Sequence, residues 1–206
     1  EKLKELEGPF AGFQIPSGAS TLDKLGQEKG SRRLCDLVNK GKVFEKIYLN
    51  PKILAAAYKI IGKEFKLSSM NFRDPLPGFG IQKFHQDWKK SFDGNYYVFN
   101  SIWLLDDFKS NNGCTKIIPG SQSKDHIFPN NDLKFYHPDE IKIIGPAGSV
   151  LFFNAHIWHA GTKNFTKRKR RAIHAYYVSR NLDQQTSQQH QAVISTLRLT
   201  ISALSL

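Results

Sequence analysis

A chain of 206 residues and 23.5 kDa with 40% hydrophobic and 12% aromatic side chains carries enough apolar surface to bury the core of one globular domain, which excludes a low-complexity or disordered protein. Its net charge of +12 and pI of about 9.7 would suit an anionic substrate or a nucleic acid. The lysines, however, run from Lys2 to Lys169 with one dense cluster at Lys167–Arg171 and no interleaved aromatic platform, the pattern of a solvated surface.

Residues 1–62 mix short charged and apolar pieces with Gly and Pro and read as a largely irregular and helical cover. Within it, Asn50-Pro51 opens a helix, with Asn as N-cap and Pro at the first helical position. Ile53, Leu54, Ala57, Tyr58 and Ile61 follow helical spacing, and Gly62 stops the helix. From residue 63 to 180 the pattern changes to short β-branched and aromatic segments: 65–73, 80–88, 96–105, 115–119, 141–144, 149–153 and 171–178. Turn signals such as Asp74-Pro75, Asp93-Gly94, Asn112-Gly113 and Pro119-Gly120 separate them. Strands of that length and spacing predict a mainly β sandwich or barrel. The tail, 181–206, is a helix candidate with Val193, Leu197, Ile201 and Leu204 on one face. No internal repeat is present, and the whole chain is expected to form a single domain.

Two cysteines, Cys35 and Cys114, are too few for a disulfide framework and match no zinc spacing, so reduced thiols in the cytoplasm are expected. No apolar run reaches about 18 residues and Glu1–Phe10 lacks a signal-type stretch, which predicts no membrane span. The chain begins without Met, which leaves room for residues upstream.

The chemistry concentrates at His85-Gln86-Asp87. On a strand, residues at i and i+2 leave the same side of the sheet, whereas on a helix they diverge by roughly 200°. Two neutral imidazoles and one carboxylate on one face suit ferrous iron with open positions for a chelating cosubstrate and O2. A second histidine from a distant strand is then required, and both His156 and His159 are available. An arginine in the Lys167–Arg171 cluster can clamp a carboxylate in two-pronged fashion.

Three stretches turn this pattern into a family resemblance: GIQKFHQDW from Gly80, NNGCTKIIPGSQS from Asn111 and GSVLFFNAHIWHAGTKNFTKRKRRAI from Gly148. In this order they resemble the phytanoyl-CoA dioxygenase-like family of Fe(II)/2-oxoglutarate oxygenases over roughly residues 50–180, with Gln122 replacing a frequent His after PGS. The resemblance implies a double-stranded β-helix, a cupin-like jelly roll, flanked by N-terminal and C-terminal helices. It implies Fe(II), 2-oxoglutarate and O2 as cofactor and cosubstrates, with His85, Asp87 and His159 as metal ligands. It aligns Arg170 rather than Arg171 with the cosubstrate anchor, and Gln82 and Thr115 with positions that help hold the cosubstrate. Asn71 and Asn100 stand behind these, and His126, His137, His174 and His190 read as structural or surface residues. Related halogenases replace the carboxylate with a small residue, so Asp87 points to hydroxylation.

The expected activity is hydroxylation of a small-molecule metabolite with release of succinate and CO2. Lys89 and Lys90 favour an anionic substrate. Two other readings stay open: a nucleic-acid demethylase, which would share the chemistry and account for the charge, and a jelly-roll binding module that has lost its metal. Neither a membrane nor a nucleic acid is the expected partner.

Overall fold

The computed structural model describes residues 30–88, 93–123 and 136–185. The C-terminal helix expected within 181–206 lies outside them beyond residue 185, as do residues 1–29 of the N-terminal cover.

Two antiparallel sheets form the body. The first holds five strands: β1 (Ser31–Leu34), β2 (Phe65–Pro75), β8 (Ala172–Ser179), β3 (Val98–Leu104) and β6 (Val150–Asn154), in that spatial order. The second holds β5 (Ile141–Lys142), β4 (Thr115–Ile117) and β7 (His159–Gly161). This is the two-layer jelly roll that the resemblance implies, within the sandwich-or-barrel class that the strand spacing predicts. Strand β1 corrects the irregular reading of the cover: Ser31–Leu34 pairs antiparallel with residues 72–75 and becomes an edge of the larger sheet.

Among the described residues, two short 3-10 helices (Leu37–Lys40 and Lys42–Phe44) and two α-helices, a single turn α1 (Glu45–Tyr48) and α2 (Pro51–Ile61), precede β2. The Asn50 side chain accepts from Lys52 N at 3.1 Å and from Ile53 N at 3.4 Å, satisfying orphan amides of the first turn. Gly62 then turns the chain away at φ 103°, a conformation that side chains disfavour. The apolar stripe of α2 buries Ile53, Leu54 and Ala57 against Leu67, Met70, Phe72, Phe99, Ile173, Ala175 and Tyr177 of the larger sheet. Ala56, Ile60 and Ile61 pack partly buried against the same cluster, whereas Tyr58 stays 41% exposed.

The other face of the same sheet looks into the barrel, and its register assigns the inward residues. Residues directly opposite each other share a face. Arg33 faces Arg73, which faces Ala172, which faces Leu104. Asn71 faces His174, then Ile102, then Leu151. Ser69 faces Tyr176, then Asn100, then Phe153. The interior is therefore polar beside β1 and β2 and apolar beside β6, where Ile102, Leu104, Phe108, Cys114, Phe153, Ile157 and Ala172 make a second core. Cys35 and Cys114 are both buried free thiols.

One predicted strand is absent. Residues 80–88 form no continuous ladder and make a single bridge, His85 with His159. Gly80, at φ 100°, breaks the extended conformation at the start of the segment. Beyond it, side-chain amides occupy backbone groups that a ladder would use.

Candidate metal centre

The His85–Asp87 segment is stitched to the chain around β7 at several points. Gln82 N donates to Gly161 O at 3.0 Å, while Gly161 N donates to the Gln82 side-chain oxygen at 2.9 Å. His85 and His159 exchange both backbone hydrogen bonds at 3.0 Å. Gln86 Nε2 donates to His156 O at 2.5 Å, and Trp88 N donates to Ala155 O at 3.2 Å. Position 161 must be glycine in this arrangement, because a Cβ there would lie 2.6 Å from Gly80 O. The expectation that His85 and Asp87 leave the same side of the chain holds without the strand on which it rested.

Each imidazole is locked in one orientation. His85 Nδ1 lies 2.9 Å from Lys83 O, and His159 Nδ1 lies 3.1 Å from Ile157 O. A carbonyl only accepts, so each Nδ1 carries a proton and each Nε2 is the ring nitrogen turned inward. Asp87 meets both: Oδ1 is 3.8 Å from His85 Nε2, and Oδ2 is 3.4 Å from His159 Nε2. One ligand atom from each of His85, Asp87 and His159 lies within 4.8 Å of the others. Burial, the adjoining His159 and the Arg73 guanidinium hold His85 down at about 4, against the pull of Asp87. It is therefore neutral at pH 7. Two imidazole nitrogens and a carboxylate are a donor set that fits a divalent transition metal.

Asp87 is itself held. Asn100 Nδ2 donates to Asp87 Oδ2 at 2.5 Å, and the Tyr176 hydroxyl donates to Asp87 O at 3.3 Å. Burial and Asp87 raise the Tyr176 phenol, which stays protonated as a donor.

Arg170 and Arg171 take opposite directions. Arg170 is fully buried with its guanidinium carbon 4.6 Å above the Phe108 ring, and its backbone N–H donates to Asp74. Arg171 turns outward and clamps Asp106 through Nε at 2.9 Å and Nη2 at 2.6 Å. Both precede β8, since their backbone amides go to carboxylates rather than to the ladder. Asp74, a turn signal in the sequence, is 2% exposed and also pairs with Arg32.

Thr115 is buried opposite Gly161. Gln82 spends its side-chain oxygen on Gly161. His156 is buried with its ring edge-on to Tyr96 and stands outside the three-residue group. His137 is buried near Asp139, and His126 and His190 lie outside the described residues. His174 faces inward, and its Nε2 is buried without a hydrogen-bond partner among the described residues. Burial and the Arg73, Arg170 and Arg33 charges press it well below the ordinary histidine value. Sequence reasoning missed the parts played by Gln86, Tyr176, Phe108 and Asp74. Gln86 alone carried a signal, as the middle residue of the motif.

The family profile described as phytanoyl-CoA dioxygenase (PhyH) matches residues 15–172. The chain belongs to the phytanoyl-CoA dioxygenase family. Among curated relatives, the dioxygenase cdmD of Talaromyces verruculosus is 27% identical over 164 residues, covering 73% of this chain and 52% of the relative. The iron/alpha-ketoglutarate-dependent dioxygenase ausO of Aspergillus calidoustus is 26% identical over 167 residues, covering 75% of this chain and 56% of the relative. The chain thus spans about half the length of the curated relatives it matches. Among solved structures, HygX of Streptomyces hygroscopicus with nickel and 2-oxoglutarate bound superposes with a TM-score of 0.65 at 16% identity, covering 76% of this chain and 72% of that one. This family member thus shares the fold of HygX. Among its described residues, no helix is long and apolar enough to cross a membrane.

Proposed function

We propose that this chain is an Fe(II)- and 2-oxoglutarate-dependent dioxygenase that hydroxylates a small molecule, with His85, Asp87 and His159 as the iron ligands. The observation that carries the reading is the convergence of those three donors, with both imidazoles fixed as Nε2 ligands by backbone carbonyls. Bound iron and 2-oxoglutarate would supply the oxidising chemistry, in which O2 and the cosubstrate yield succinate, CO2 and a hydroxylated product.

The protein's own part is binding, orientation and exclusion of water. Arg170 is the anchor for the distal carboxylate of 2-oxoglutarate: it is fully buried, and Phe108 stacks beneath the guanidinium. A planar fork in a dry setting pairs with a carboxylate through two parallel hydrogen bonds. Thr115 and Gln82 flank Gly161 on either side, next to His159, and are the cosubstrate neighbours in this reading. Asp87 keeps the carboxylate position filled, which favours hydroxylation.

An anionic small molecule is the favoured substrate, on Lys89 and Lys90, which follow the His85–Asp87 motif in the sequence. HygX is a precedent for the fold, since one of its structures has hygromycin B bound. Buried free thiols at Cys35 and Cys114 support a reducing, cytoplasmic setting.

The test is metal titration of the metal-free protein, followed by a succinate-release screen over a metabolite panel with Fe(II), 2-oxoglutarate and ascorbate. One metal per chain is expected, with at least one metabolite stimulating succinate release, and with Asp87→Ala at background. A wild-type protein that binds no divalent metal, or an Asp87→Ala variant with undiminished turnover, sinks the assignment.

A further inference from the structure

Asp87 lies in irregular backbone two residues past the single His85 bridge, and its side chain is 32% exposed. A carboxylate so placed has several staggered rotamers within reach, some of them directed at solvent. Asn100 removes that freedom. A carboxylate only accepts, so the amide must present Nδ2, and it does so at 2.5 Å from Oδ2, the oxygen that also lies 3.4 Å from His159 Nε2.

Asn100 is itself rigidly placed. It is 7% exposed, on a strand paired on both sides, between Tyr176 of β8 and Phe153 of β6. The inward positions of β3 are Val98, Asn100, Ile102 and Leu104, so asparagine is the single polar residue in an otherwise apolar series. Burying an amide there is costly unless it is hydrogen-bonded, and the bond it makes runs to Asp87. Its cross-strand neighbour Tyr176 holds the Asp87 backbone carbonyl. Two adjacent residues of the central strands thus fix both the main chain and the side chain of Asp87.

We propose that Asn100 is a positioning residue of the metal centre: it turns the Asp87 carboxylate toward the two imidazoles before any ion arrives, and so sets the metal affinity. This rests on the reading of His85, Asp87 and His159 as metal ligands. Hydrogen-bond partners of metal ligands are typically worth roughly 10–100-fold in metal affinity.

The experiment compares metal-free wild type, Asn100→Leu and Asn100→Asp by calorimetric titration with Mn(II) alone, alongside thermal melting of the same metal-free samples. Leu keeps the volume and removes the donor. Asp keeps the shape and sets a like charge against Asp87. Both variants should bind Mn(II) about 10–100-fold more weakly than wild type, while the melting of whichever variant folds shows an intact barrel. A variant that melts cooperatively yet binds Mn(II) within twofold of wild type, or more tightly, overturns the positioning role alone. Wild type that fails to bind Mn(II) overturns the metal reading as well. If Asn100→Leu does not fold, Asn100→Asp decides the question by the same criterion.

Discussion

Strands β8 and β3 each have a hydrogen-bonded neighbour on both sides and carry His174, Tyr176 and Asn100 at fixed register, with Arg170 just before β8. By contrast, His85 and Asp87 belong to a segment with one bridge, tied down by the side chains of Gln82, Gln86 and Asn100. In the first region the ladder aims the side chains. In the second, carboxamides do the aiming. His85 and Asp87 still leave one side of the chain, as alternation requires, and His85 lies opposite the distant His159 in the bridge, but side-chain amides rather than a continuous ladder hold the segment there. The larger sheet is thus a frame, and the His85–Asp87 segment is an inset held by polar contacts that can each be removed singly.

The sharpest break between the two regions comes from the adjacent arginines. Arg170→Lys should raise the KM for 2-oxoglutarate by roughly 10–100-fold, the loss expected when a two-pronged charged pair becomes a single contact. Arg171→Lys should leave that KM unchanged, since Arg171 is half-exposed and spends its fork on Asp106. Its cost is limited to stability of about 1 kcal/mol or less. Steady-state kinetics on both variants check this. If Arg171→Lys is the damaging change, Arg170 serves the frame and not the cosubstrate.

The same contrast predicts how stability of the metal-free protein responds to acid. His85 titrates at about 4 in the fold, below its ordinary value, through burial, His159 and Arg73, and His174 is pressed down by burial and the three arginines. Between the two values of each histidine the unfolded chain binds more protons than the fold, so the lowered groups contribute stability that is complete above about pH 6.5. That contribution is lost as pH falls from about 6.5 toward 4. Urea midpoints measured from pH 7 to pH 4 should fall, and His85→Gln should flatten the fall. A variant with the wild-type pH slope would place the titrating burden elsewhere.

The parts of this molecule that local rules determine were legible in its sequence. Asn50-Pro51 and Gly62 bound α2 because capping is a matter of neighbouring residues, and β-branched and aromatic residues between turn signals mark β3 and β8. The register of Arg170 against Arg171 was legible through the resemblance, and the opposite directions of the two side chains agree with it. The strand expected over residues 80–88 was not to be had from local pattern. Its Ile81, Phe84 and Trp88 are strand-like in type, but the partner groups it needs lie beyond position 150 in the chain, and side chains occupy some of them. Strand β1 escaped for a related reason: four residues, two of them arginine, carry no apolar alternation, and only pairing with residues 72–75 makes them a strand. Asp74 read as a turn residue because its two partners, Arg32 and the Arg170 amide, are distant in sequence.

Gln82 sits at the seam between inset and frame, and it carries the smallest expected effect. Its side-chain oxygen accepts from Gly161 N at 2.9 Å, two residues past His159. Gln82→Leu keeps much of the volume and leaves that amide without its acceptor, at a cost of about 1 kcal/mol or somewhat more. Because Gln82 N still donates to Gly161 O, the segment should remain docked, and the thermal midpoint should drop by a few degrees. The informative comparison is with 2-oxoglutarate affinity. As a stitch, Gln82 moves the melting point while the KM for 2-oxoglutarate stays within about threefold of wild type. As a cosubstrate contact, it moves that KM toward the value for Arg170→Lys, since the amide nitrogen is then the group that matters. Gln82→Glu separates the two roles further: its carboxylate still accepts from Gly161 N, so a stitch is preserved, while the loss of the donor and the added negative charge penalise a bound dicarboxylate.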